Sequence, residues 1–437
     1  MKRRIVLILV VLGFSLSVEA GGYLTNTNQS INFLRNPSRD ASIGVDGVYY
    51  NPAGVVFMED GWHLQFNWQI VRQNRDTKTA YGDLFKLNEK KSDATHKFEG
   101  DVKVPIQPAI YLTYNKNKWA FEFGAGFIGG GGGCEFNNGL GTFEALVGNS
   151  GLVALGNKMK SYSFDSYLKG ESYDLGFTFG VARRVTDKIS VYAAMRGIYA
   201  INKYQGYIRN IKYGLLNGGN MPVSSNYELD CSQTGFGLAP IIGFDYKLNN
   251  HWNFATKFEF RTKLRVKSNS HNSDDFTQLA SSNPMFSMFN DGESSRIDLP
   301  AMLTFGACYS PIQSLRIMGG YHHYFDVDTK QWGADLLGNT NEFTLGTEYD
   351  INKKWEVSAG WQKTLYSQED KNLSDISFCL NSWSYGLGVG YILNKTVKFN
   401  VAWFQTLYHD KNVNNGKSNI VYSRTNKVLG LGVDISF

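Results

Sequence analysis

"GWHLQFNWQI", residues 61–70, sets Trp62, Leu64, Phe66, Trp68 and Ile70 against His63, Gln65, Asn67 and Gln69 in strict alternation. A period of two places the two sets on opposite faces of a β-strand. "HWNFATKFEFRTKLRVK", residues 251–267, repeats the pattern with an ionic second face: Trp252, Phe254, Phe258, Phe260, Leu264 and Val266 against Asn253, Lys257, Glu259, Arg261, Lys263, Arg265 and Lys267. Alternation alone fits a soluble sandwich as well as a membrane barrel, and the punctuation between strands decides. Short turns at 114–118, 184–188, 248–251, 310–314, 350–354 and 393–396 alternate with long polar stretches near 75–100, 131–160, 211–226, 268–293, 328–340, 367–380 and 411–423. One tight rim, one elaborate rim and about fourteen strands between them describe an all-β chain, a transmembrane antiparallel β-barrel. Its last strand, "KVLGLGVDISF", ends on an aromatic, Phe437, like the C-terminal signal of outer-membrane barrels.

The rest of the composition agrees. Lys2, Arg3 and Arg4 precede an apolar run from Ile5 to Leu16 and the small-residue site Val18-Glu19-Ala20, which predicts a cleaved signal peptide over 1–20. No later run is long and apolar enough for a helical span, while 14% aromatics, 46 Gly and only 9 Pro suit a long β-protein. The net charge of +5 comes without a basic block, so nothing points to nucleic acid. The four cysteines lack zinc spacing; a disulfide among Cys134, Cys231 and Cys379 stays open, and Cys308 reads as a packed thiol. His322 and His323 point to opposite faces of a strand and cannot chelate together. With no nucleophile elbow, no zinc helix and no cofactor motif, the chain is read as neither an enzyme nor a cofactor protein.

Residues 21–61 do not alternate. Ile31, Phe33, Leu34, Val48, Tyr49, Tyr50, Val55, Val56 and Phe57 carry too much apolar surface for a free tail, so the segment is expected to fold inside the lumen as a hatch, ahead of a barrel over 62–437. Within it "ASIGVDGVYYNPAGVVFM" carries Asn51, Pro52, Ala53 and Gly54, and this element resembles the hatch of the FadL/TodX family of outer-membrane transporters of long-chain fatty acids and other hydrophobic compounds. The resemblance extends to "DLPAMLTFGACYSP", "NEFTLGTEYDINKKWEVSAGWQ" and "KFEFRTKLRVKSN". It implies fourteen strands, an internal hatch, a lipophilic pocket near it and a kinked third strand that opens the wall sideways.

The glycine run "GAGFIGGGGG", residues 124–133, has dinucleotide-turn spacing but lies within an alternating strand and precedes no helix of a βαβ unit. It reads instead as a deformable stretch of strand three, with Gly124, Gly126 and Gly129 at a lateral opening. Two long loops carry Phe143 and Leu146, and Phe276, Met285, Phe286 and Phe289, as a hydrophobic capture surface or a mutually packed lid. Arg261 and Lys263 are placed on the lumen face, to meet a carboxylate or to pair with wall charges such as Glu259. These readings predict a monomeric outer-membrane protein that takes a hydrophobic small molecule inward by passive, ligand-gated diffusion and releases it to membrane lipid. A general porin and an adhesin acting through its loops are the alternatives.

Overall fold

The computed structural model describes residues 24–25, 29–283, 286–329, 338–367, 369–370, 373–375 and 377–437. The expected signal peptide and Met285 lie outside these residues. Fourteen strands form the wall: β1 Gly61–Ala80, β2 Thr95–Lys116, β3 Trp119–Phe136, β4 Met159–Arg184, β5 Ile189–Leu215, β6 Tyr227–Lys247, β7 in two pieces Trp252–Glu259 and Arg265–Ser270, β8 in two pieces Ser294–Arg296 and Met302–Ile312, β9 Leu315–Tyr324, β10 Thr340–Asp350, β11 Trp355–Leu365, β12 Ser382–Ile392, β13 Val397–Tyr408 and β14 Asn419–Ser436. Neighbours in sequence pair antiparallel. The sheet closes where β1 pairs β14, from His63 opposite Ser436 to Ala80 opposite Asn419. Closure leaves no edge, which is what hydrocarbon demands of a spanning sheet. No helix among the described residues is long and apolar enough to cross a membrane.

The alternation resolves as expected. Trp62, Phe66 and Trp68 are exposed on the outside, while His63, Gln65, Asn67 and Gln69 are buried in the lumen. Aromatic pairs ring the short-turn end, among them Trp62 with Tyr114, Trp252 with Tyr309 and Trp355 with Tyr391. Such rings sit where membrane meets water. Much of what the polar stretches suggested to be loop is strand: β1 runs to Ala80, β2 starts at Thr95 and β5 runs to Leu215. Polar alternation continues the ladder beyond the apolar band, so polarity marks the end of the band and not the end of the strand. The wall is therefore uneven, with β1–β6 much longer than β9–β13.

Residues 29–58 fill the half of the lumen next to the short turns. α1 (Ile31–Arg35), capped by the Ser30 side chain, is followed by 3₁₀ turns at Val45–Val48 and Pro52–Phe57. Its apolar residues join inward wall residues in one core. The first wall strand starts at Gly61, one residue before the expected boundary.

Candidate functional site

The hatch meets the wall closely because the wall withdraws its side chains there. A β-carbon on Gly346 or Gly360 would press on Asn36, on Gly306 or Gly320 on Asp40, on Gly386 on Leu34, and on Gly432 on Ile31. These glycines sit on neighbouring strands and form a belt against which hatch residues 31–40 lie. Specific bonds then fix the register. Arg35 donates to Ser358 Oγ at 2.9 Å, to Asn400 Oδ1 at 2.5 Å and to Glu356. Arg39 bonds Asp46 at 2.8 Å and also Glu348. Burial alone would lower the Arg39 guanidinium, but Asp46 and Glu348 hold it above the ordinary arginine range. Asp40 contacts His322 Nε2 at 2.9 Å, and His322 Nδ1 lies 3.1 Å from Glu342. His323, one residue on, bonds Asn341 instead, so the two histidines share no ligand set.

The Asn51-Pro52-Ala53-Gly54 corner is anchored in the same manner. Asn51 Oδ1 accepts from the Gly54 amide at 3.2 Å and caps the 3₁₀ turn that Pro52 opens. Its amide donates to Asp245 of β6 at 2.7 Å, and Ser190 of β5 donates to the Ala53 carbonyl at 2.5 Å. The corner's contacts are structural, made to the wall.

The other half of the lumen is different. There a cavity of about 340 Å³ is bounded by β1–β6, β13 and β14 on the wall, by Gln29 of the hatch, and by Phe143, Leu146, Phe276, Phe286 and Phe289 of the long loops. Phe143, Phe276, Phe286 and Phe289 are buried in a second core. These aromatics are thus not exposed: Phe143 on α2 (Gly141–Leu155), Phe276 on α3 (Asp274–Ser282) and Phe286 and Phe289 beyond it pack inward, while Leu152 and Val153 of α2 stay exposed. Glu144 on α2 locks this lid of aromatics, bonded to His96 at 2.8 Å, Asn88 at 2.7 Å and Tyr162 at 3.0 Å.

Two cations enter this apolar space. Arg75 of β1 and Arg424 of β14 stand directly opposite each other and both line the cavity. Arg75 donates to the Phe378 carbonyl at 3.3 Å, and Arg424 to Gln73 Oε1 at 2.6 Å and 3.0 Å. Among the described residues neither has a carboxylate partner. Sequence reasoning missed the pair because the two residues are 349 positions apart and are brought together only by barrel closure.

Lys263, expected to face the lumen, does not, and Arg261 is taken up by Asp298 and the Asp328 carbonyl. Between Glu259 and Arg265 β7 is interrupted; Ile242 of β6 faces Phe258, whereas Phe236 faces Arg265, so six steps on β6 oppose seven on β7. One extra residue reverses the faces. Leu264 and Val266 turn inward, Lys263 is exposed on the outer surface, and Arg261 bonds the Asp328 carbonyl.

The glycine run needs a similar correction. Pairing of β2 with β3 is regular from Lys116 opposite Trp119 to Ala109 opposite Gly126, through Gly124, which packs against Tyr111 and Val48 of the hatch. It then stops: residues 103–108 and 127–133 make no β2–β3 pairs, and pairing resumes at Val102 opposite Cys134. On the β4 side β3 shifts register on both sides of Gly129, and Gly130 and Gly132 are left-handed, with φ of 86° and 75°. The break in β2–β3 pairing therefore takes in Gly129, Gly130 and Gly132, while Gly124 and Gly126 belong to regular strand. Pro105 and Pro108 form its other lip; two prolines lacking amide donors in an otherwise alternating strand were a readable sign of it. The carbonyl freed at Phe127 accepts from Gln29 Nε2 of the hatch at 2.6 Å. The cavity reaches this seam, with Gly129, Gly130, Gly132, Val102 and Val104 among its lining. Cys134, Cys231, Cys308 and Cys379 form no disulfide among the described residues.

No protein-family model and no curated relative matches the sequence. Solved structures do. A FadL homologue of Pseudomonas aeruginosa aligns over 95% of this chain and 100% of its own at 13% identity, with a TM-score of 0.62. The toluene transporter TbuX of Ralstonia pickettii aligns over 94% and 99% at 16% identity, with a TM-score of 0.58. The Pseudomonas putida toluene transporter TodX aligns over 95% and 98% at 14% identity, with a TM-score of 0.58. Across nearly its whole length, the chain shares the barrel fold of the FadL homologue and of these two toluene transporters.

Proposed function

We propose that this protein sits in the bacterial outer membrane, exported by the signal peptide at 1–20, and carries hydrophobic molecules inward by passive diffusion gated by ligand binding. The observation that carries the reading is the cavity, which joins apolar loops, an arginine pair and an unpaired wall seam in one space. A lipophile entering beneath the lid buries its chain against Phe143, Phe276 and Phe289. Leaving through the seam between Val104 and Gly132, it passes into hydrocarbon without crossing water, which avoids about 0.8 kcal/mol of exposure per methylene. The Arg75–Arg424 pair favours an amphiphile with a carboxylate, a long-chain fatty acid, over a neutral aromatic hydrocarbon. Two guanidiniums held in an apolar site without a counter-charge are costly until an anion arrives. A porin for small polar solutes fits poorly with a lumen half filled by residues 29–58.

The test is binding and uptake together. The detergent-purified protein is expected to bind a labelled long-chain fatty acid saturably, and cells expressing it to take that acid up faster than cells without it, with no gain for a sugar of similar mass. Saturable binding absent, or sugar uptake raised as much as fatty-acid uptake, overturns the reading.

A further inference from the structure

The face reversal in β7 has a second effect, on the outside of the barrel. Up to Phe260 the outer face of β7 is apolar, and on β6 the exposed residues continue through Leu238 to Phe236, which is 60% exposed. From Lys263 onward the outer face of β7 carries Lys263, Arg265 and Lys267, all exposed. Arg265 stands directly opposite Phe236 on one side and directly opposite Arg296 of β8 on the other. The cations therefore begin at the height at which the apolar band stops, on the long-loop side of the barrel. Directly across from Lys267 are Thr234 and Ser294, neither of them acidic. Among the described residues Lys263, Arg265 and Lys267 make no ion pair, and the nearby Asp298 is buried and already engaged by Arg296 and Arg261. Two like charges directly opposite in a sheet repel, and although Asp298 offsets Arg296, Lys263 and Lys267 add unpaired positive charge on either side of Arg265.

We propose that Lys263, Arg265, Lys267 and Arg296 form a docking site on the outer wall for the phosphate groups of an anionic glycolipid of the outer leaflet. The inference rests on the outer-membrane reading above. The height of the patch selects a lipid over a soluble anion: acyl chains lie along Phe236, Leu238 and Phe260 while phosphates reach the guanidinium and ammonium groups just above. Arginine pairs with phosphate through two parallel N–H···O bonds; Arg265 offers such a fork, and Arg296 opposite it, bonded to Asp298 through Nε and Nη2, adds the donors of its remaining edge. A bound phosphate relieves the repulsion between the two strands at the point where β7 is interrupted. That gives the lipid a structural role in holding the wall together beside the break.

The test needs no variant to begin. Wild-type protein in detergent is titrated by native mass spectrometry with a bis-phosphorylated lipid A and with the same lipid after phosphate removal. The proposal expects the phosphorylated form to bind about tenfold more tightly or better, as charge-assisted pairing requires. It also expects millimolar inorganic phosphate to leave that binding largely in place. Equal binding of the two lipids overturns the site, and full displacement by inorganic phosphate overturns the lipid as its occupant. The variant Lys263→Gln/Arg265→Gln/Lys267→Gln is then expected to lose the preference for the phosphorylated lipid while keeping heat-modifiable gel migration and fatty-acid binding; a folded variant that keeps the preference also overturns the site. A wild-type barrel that fails to insert into lipid bilayers at all would instead sink the outer-membrane reading.

Discussion

The two halves of one lumen treat charge in opposite ways. Near the short turns, Arg35, Arg39, Asp40, Asp46, Glu348 and Glu356 are buried and bonded to one another or to the wall. Toward the long loops, Arg75 and Arg424 face each other over an apolar cavity without an acidic partner among the described residues. The strands are the same strands, so the difference comes from what stands on their inner face. A belt of glycines admits the hatch backbone in the first half, and large aromatics hold space open in the second. Ion pairs hold the plug, whereas Arg75 and Arg424 are held by a carbonyl, an amide and aromatic rings, with no carboxylate among the described residues.

The sharpest way to break this comparison is to remove the plug. Deleting residues 21–54 is expected to leave a barrel that inserts, because the wall's hydrogen bonds close on themselves through β1 and β14. The deletion leaves the inner half of the lumen wide, and single-channel conductance in planar bilayers should rise by about an order of magnitude, toward that of a barrel with an aqueous lumen. If the inserted deletion conducts as poorly as wild type, the hatch does not occlude the lumen and the two halves do not differ in the way described.

The arginine pair supplies the next test. Arg75→Gln with Arg424→Gln removes both charges and keeps side chains able to donate to Phe378 and to Gln73. Loss of a charge-assisted bond costs about 1.5–3 kcal/mol, so fatty-acid affinity should fall roughly tenfold or more. Binding of a neutral hydrocarbon of equal length should change little. Equal losses for acid and hydrocarbon in a titration of the folded variant would assign the arginines to cavity shape, not to carboxylate recognition.

Much of this was legible in the sequence, and what was not has a physical pattern. Period-two alternation and turn spacing gave strand number, closure and the lipid-facing set, since a residue's face follows from its parity as long as the strand is regular. Where one residue is inserted, parity fails. That is why Lys263 was assigned to the lumen, and why, of Gly124, Gly126 and Gly129, only Gly129 lies within the break of β2–β3 pairing. The Arg75–Arg424 pair was illegible for another reason: it depends on contact between the first and last strands, which no local pattern encodes. The glycine belt was visible as residues in "TFGA", "MGGY", "TLGT" and "SAGW", but its meaning required knowing that the hatch lies against it.

The finest distinction between the halves is in the wall itself, continuous around the plug and unpaired beside the cavity. A β-carbon on Gly132 would lie 3.8 Å from Cβ of Val104 across the seam, which is the separation found in disulfides. The double variant Val104→Cys/Gly132→Cys, made with Cys134→Ser to prevent mispairing, is therefore expected to cross-link and staple the seam shut. Cysteine at the left-handed position 132 is strained by about 1–2 kcal/mol, a modest cost for a closed barrel. Under oxidising conditions, uptake of a labelled long-chain fatty acid should fall severalfold while binding to the purified protein stays as in wild type. A reductant should restore uptake in the same cells, which separates a closed exit from a misfolded barrel. If mass spectrometry shows the bond formed and uptake is unchanged, the ligand does not leave through the seam. Its route must then run past the hatch, through the half of the lumen that the buried ion pairs hold closed.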